Sequence, residues 1–189
     1  FHSLVEFIFI TTHGNPFFIK ELLRELYSNK ALIFDFNTER WNFDNRVIQS
    51  LSMGENVLDF MKIRIKSFSE NTILVLKIAA CEGLIFNKDA VLLISRLPEN
   101  EFDIAIKEAS ISSIIYPIIN NSQTDNYYFL HDRILQAAYQ LNSAEDIREY
   151  NFQFGNYYIK HFPDAKIFDI CNFYNNSFEK FTKEEDLIN

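Results

Sequence analysis

The sequence predicts a mainly α-helical protein with a small β-hairpin past its middle. Three observations carry this. Apolar residues recur at helical spacing along most of the chain. Gly and Pro number only 4 each in 189 residues, too few for a turn-rich sandwich or barrel. Two β-prone runs, Ile114 to Ile119 and Tyr127 to Leu130, follow a series of helices, which is the order of a winged-helix domain.

The elements are legible in order. Residues 1–13 read as the end of an earlier element. Asn15 is a good helix N-cap, and Pro16 suits the first helical position, where its missing N–H is no loss. Phe18, Ile19, Leu22, Leu23 and Leu26 then share one face of a helix ending near Ser28-Asn29. Ala31 to Phe36 and Arg40 to Phe43 read as a hairpin turning at Asn37-Thr38-Glu39, with Trp41, the only tryptophan, covering the core. Ser52-Met53-Gly54 is a candidate boundary.

From Asn56 the pattern is helical again, with Val57, Met61, Ile65 and Phe68 on one stripe. A second helix starts after Ser69, with Ile73, Leu76, Ile78 and Cys81 apolar, and stops at Gly83. A third runs from about Lys88 to Leu97, where Pro98 ends it. A fourth follows Asn100, with Phe102, Ala105, Ile106 and Ala109 facing inward. The polar stretch Asn120 to Asn126 links the two strands. Another helix spans Asp132 to Leu141. Ser143 with Asp146 reads as a capping box opening a helix with Ile147, Tyr150, Phe154 and Tyr158 at helical spacing. Ile167, Ile170, Phe173 and Tyr174 mark one more. This terminal pair could open a TPR-like solenoid, although one pair establishes no period.

Composition excludes several functions. The formal charge is −8, which repels nucleic-acid phosphates and anionic membranes alike. The apolar runs Phe7 to Ile10 and Val91 to Ile94 are too short to span a bilayer. No basic, then apolar leader opens the chain at Phe1, and the sequence reads as a segment of something longer. Cys81 and Cys171 fall among apolar residues at helical spacing, so the expectation is two buried, reduced thiols in a cytoplasmic protein.

The sequence holds no G-x-x-x-x-G-K-[ST] phosphate loop and no nucleophile motif. None of His2, His13, His131 and His161 has a histidine or cysteine at i+4. The expectation is therefore no catalytic residue and no metal site.

Two segments resemble a family. Gly14-Asn15-Pro16-Phe17-Phe18-Ile19-Lys20-Glu21-Leu22-Leu23 and Tyr128-Phe129-Leu130-His131-Asp132-Arg133-Ile134-Leu135-Gln136-Ala137-Ala138-Tyr139 look like the AAA ATPase module of large multidomain serine/threonine and histidine kinases, a STAND-class signalling NTPase. Asn56 to Met61, Leu76 to Cys81 and the Trp41 hairpin fit the same pattern. The resemblance runs from about Thr12 to Tyr158. It implies a helical lid with a short hairpin over 1–55, a winged-helix domain over 56–141 and the start of a helical, TPR-like region over 142–189.

It further implies an ATP/ADP site. Gly14, Asn15 and Pro16 resemble the G-x-P motif of the lid, whose proline packs near adenine. His131 and Asp132 resemble the MHD-type motif, whose histidine contacts the β-phosphate of ADP; Arg133 follows as a charge able to pair with an acidic neighbour. His13 stands where relatives often have a second glycine. The phosphate loop and the ligands for Mg would lie in an upstream P-loop domain of the same polypeptide, with kinase or sensor domains attached. Each motif also has a plain reading. Asn15-Pro16 starts a helix without any ligand, and His131-Asp132 can be a cap beside a surface charge.

Three functions compete: a nucleotide-gated switch within a kinase or sensor protein, a protein-interaction scaffold with relic nucleotide motifs, and a DNA-binding winged helix. The last is disfavoured by Glu101, Asp103 and Glu108 against Lys107 on the presumptive recognition helix.

Overall fold

A computed structural model describes residues 2–12, 14–43, 57–120, 123–164 and 166–178. His13, the candidate boundary at 52–54, Asn56, and Asn121 and Ser122 of the strand linker lie outside them. The protein is mainly helical with small antiparallel sheets. No helix among the described residues is long and apolar enough to cross a membrane. The chain forms two compact units, Phe1–Phe60 and Met61–Asn189.

In the first unit, α1 (His2–Thr12) and α2 (Pro16–Ser28) precede a hairpin of β1 (Leu32–Asp35) and β2 (Arg40–Phe43). Leu22 and Leu26 of α2 lie one turn apart and bury together with Leu4, Ala31 and Leu32. Asp35 makes the hairpin turn, accepting hydrogen bonds from Asn37 N at 2.9 Å and from the Thr38 hydroxyl. Trp41 does not cover a core as the sequence suggested. It is 42% exposed and meets Tyr27 and Phe34 edge-on. Position 41 shares its face with Phe43, which packs on the core, but lies two residues nearer the hairpin turn.

Next in the chain is α3 (Val57–Lys66), of which residues from Met61 onward belong to the second unit; Met61 and Ile65 are buried. Then come α4 (Glu70–Glu82), β3 (Ile85–Asn87), α5 (Lys88–Ser95), α6 (Glu99–Ile111), β4 (Ile115–Asn120) and β5 (Gln123–Phe129). The three strands pair antiparallel in the order β3-β5-β4. Helix, strand, two helices and a returning hairpin, with the first strand on the far side of the last, is the winged-helix arrangement. Pro117, which has no N–H to give, sits on the edge strand β4.

The core beneath the sheet includes Phe86, Phe102, Ile114, Phe129 and Ile134, none more than 1% exposed. Each contributes roughly 1.5–3 kcal/mol by leaving water. α7 (Asp132–Tyr139) packs on α4, and α8 (Ala144–His161) packs on α4 and α5 and pairs with α9 (Ile167–Asn176).

The local signals mostly act where expected. Ser69 caps α4, Asn87 caps α5, and Ser143 and Asp146 form the capping box of α8. Four details differ from the sequence reading. The strand β3 was not anticipated. β5 starts at Gln123, because pairing with β4 recruits polar residues that alone look like loop. α5 ends at Ser95, with Arg96 left-handed (φ 56°), and α6 begins at Glu99, directly after Pro98. Finally, Cys171 is exposed: α9 buries Ile170 and Phe173, and the next residue after Ile170 turns away.

Candidate functional site

The first motif is a turn built from short-range hydrogen bonds. Thr12 closes α1 by donating its hydroxyl to Ile8 O at 2.7 Å, and Asn15 N donates to Thr12 O at 3.0 Å. Gly14 has φ +77°, a left-handed backbone that glycine adopts without strain. Asn15 Oδ1 accepts from Phe17 N at 2.9 Å, and Pro16 opens α2 as an exposed, rigid apolar face. One turn later in α2, Glu21 is buried and pairs with Arg24 at 3.0 Å.

The second motif sits where β5 passes into α7. Phe129 N donates to Leu84 O at 2.9 Å and Leu130 N to Ile114 O at 3.0 Å, so the strand is held on both sides up to His131. His131 is in an extended conformation (φ −152°, ψ 146°) and caps α7: its Nδ1 accepts the Arg133 N–H at 3.1 Å. Asp132 Oδ1 accepts the same N–H at 2.8 Å and lies against His131 Nδ1.

The ring sits at a helix N-terminus, where partial positive charge favours an anion. Asp132 is 74% exposed. Among the described residues Arg133 does not pair with an acid: its guanidinium donates to Gln136 Oε1 at 2.9 Å, one turn along the same helix. Gly14, Asn15 and Pro16 belong to the first compact unit, and His131, Asp132 and Arg133 to the second.

The would-be recognition helix α6 turns Asn100, Asp103, Ile104, Lys107 and Ile111 to solvent, with Ile104 and Ile111 64% and 73% exposed. Asp103 pairs with Lys88 at 2.9 Å. Glu108 accepts from Ser69 and Thr72 at the start of α4, bonds that hold its carboxyl below the usual range. One lysine on that stripe gives little to attract a phosphate backbone.

A polar cluster that the sequence reading missed joins the winged helix to the tail pair. Glu82, the last residue of α4, accepts the Asn87 N–H at 3.1 Å and the Tyr158 hydroxyl of α8. Burial pushes its carboxyl up to about 7, against the opposing pull of the Tyr158 and Asn87 hydrogen bonds. The neighbouring Cys81 thiol is pushed up to about 12, first by burial and then by Asp146, so it is an unreactive core group. No sequence signal marked Glu82, because its partners come from the next turn and from a helix far along the chain.

No family model matches the chain, and no solved structure matches it. A curated relative does. The chain is similar to part of a hybrid signal transduction histidine kinase. That protein, Hybrid signal transduction histidine kinase G of Dictyostelium discoideum, is 25% identical over 239 aligned residues covering 99% of this chain. The chain spans 7% of that relative's length.

Proposed function

We propose that this chain is the lid and winged-helix portion of a nucleotide-gated switch within a multidomain signalling kinase. The observation that carries the reading is the His131 junction. His131 stands at the N-terminus of α7, where a histidine can donate to a phosphate oxygen and the helix end adds partial positive charge. The family-like segments around Pro16 and His131 and the histidine kinase relative support it. In this reading His131 holds the β-phosphate of ADP, and an upstream P-loop domain supplies the phosphate loop and Mg ligands. ADP stabilises a closed state, and exchange for ATP releases it toward an attached kinase or sensor domain. Nucleotide shifts that balance only by its difference in affinity for the two states.

The test is calorimetric titration of the full-length protein with ADP and ATP. A charge-assisted contact to phosphate is worth about 1.5–3 kcal/mol. His131→Ala should therefore weaken ADP by roughly ten- to a hundred-fold and ATP by less. Equal losses for both nucleotides, or no loss, would overturn the reading. The 189-residue chain by itself should turn over no ATP, since its sequence contains no phosphate loop; turnover proportional to its concentration would equally count against it.

A further inference from the structure

The Glu82 cluster is a joint between elements. The carboxyl closes the turn after α4 by accepting the Asn87 N–H with both oxygens at 3.1 Å, and it takes the Tyr158 hydroxyl from α8. Asn87 extends the same joint: its Oδ1 caps α5 through Ala90 N at 3.0 Å and lies 3.3 Å from the Tyr157 hydroxyl. Lys166, just before α9, stands 5.2 Å from the centre of the Tyr158 ring and pairs with Asp169 at 3.2 Å. Two cavities of about 260 and 330 Å³ open on this point, and Glu82, Ile85, Tyr158 and Lys166 line both. One side chain therefore connects α4, the β3–α5 turn and α8, with space for water on either side.

We propose that Glu82 is a protonation-sensitive clasp that holds the α8–α9 pair against the winged helix. As a neutral acid it satisfies Tyr158 and Asn87 without placing a charge between packed helices. As a carboxylate it must be hydrated, and the nearest cation, Lys166, is already committed to Asp169. The two cavities are small, and opening the joint would give that charge bulk water in their place.

The groups facing Glu82 are few. Tyr157 and Tyr158 on α8 have hydroxyls pushed up by burial first, and Glu82 itself reinforces both. Lys166 and Asp169 on the α9 side oppose each other, the lysine lowering the carboxyl and the aspartate raising it. Asp89 on α5 acts on Tyr157. Lys77, farther back along α4, pairs with Asp146 of α8 at 3.2 Å.

The direction with pH follows. Closed, the carboxyl keeps its proton to about 7; opened to water, it returns to its ordinary 4.5. The raised value means that protonation favours the closed joint. The advantage is complete below 4.5 and is lost as pH rises through about 7. Between pH 6 and 8 these two values make opening about tenfold more favourable.

Hydrogen exchange on the 189-residue chain, corrected for the intrinsic effect of pH, should show the α8 and α9 amides about tenfold less protected at pH 8 than at pH 6. Glu82→Gln keeps the acceptor oxygen, carries no charge, and should hold protection constant across that range. Tyr158→Phe removes a bond that favours the charged form, so its transition should move to higher pH. The carboxyl carbon of Glu82 in the wild type, followed by NMR, should titrate near 7. Titration near 4.5, or the same pH dependence in wild type and Glu82→Gln, would overturn the proposal.

Discussion

Two helices in this protein begin at residues that resemble nucleotide-binding motifs, and they begin differently. α2 opens with Asn15 as cap and Pro16 in the first turn, a combination that helix physics favours with no ligand in view. α7 opens with His131, whose ring nitrogen caps the helix through Arg133 N. Histidine is outside the set of Asn, Asp, Ser and Thr that caps helices best. Local folding thus accounts for the first start completely and leaves the residue choice at the second unexplained. Of the two motifs, His131 carries more of the functional argument, and Pro16 rests more heavily on resemblance.

The comparison sharpens if the α2 start is broken first. Gly14→Ala should destabilise the first unit by about 1–2 kcal/mol, since an L side chain resists the left-handed backbone at φ +77°. A Cβ there would meet the Phe9 ring at 3.7 Å, an ordinary contact, so backbone strain is the whole effect. Asn15→Ala should take about 1 kcal/mol by removing the cap. Trp41 is the sole tryptophan and belongs to this unit, so its fluorescence during urea unfolding reads both changes. An unchanged midpoint for either would mean that the turn at 14–16 does not control how α2 starts.

What the sequence revealed follows from how local each signal is. The helices were legible because Leu22 and Leu26, or Phe102, Ala105, Ile106 and Ala109, repeat at helical spacing within a few turns. Caps at Ser69 and Ser143 were legible for the same reason. The strand β3 was not, because three residues are too few to show alternation and its partner β5 lies beyond two helices. Cys171 was misjudged because the periodicity of α9 resolves its apolar side and not the edge of that side. The junction at His131 came from resemblance, while its capping bond to Arg133 N depends on how strand and helix meet in the fold. Glu82 was invisible: a lone glutamate at a helix end looks solvated until Tyr158, far along the chain, comes to rest on it.

The smallest expected effect is the most discriminating. His131→Ser replaces the ring with one of the best capping side chains. The hydroxyl can accept the backbone N–H at the start of α7, but it is too short to present an outward donor. The half-buried ring gives up some packing, and the better cap offsets part of it. Net stability should stay within about 1 kcal/mol of the wild type and above His131→Ala by roughly the worth of a cap, about 1 kcal/mol. Urea unfolding followed by far-ultraviolet circular dichroism, dominated by the helices of the second unit, is the measurement. If His131 only starts a helix, Ser should rescue everything that Ala loses, including the nucleotide response of the full-length protein. If it is a phosphate latch, Ser should restore the fold while ADP retention stays as weak as with Ala. Rescue of both would reduce His131 to a cap and remove the main support for the nucleotide reading.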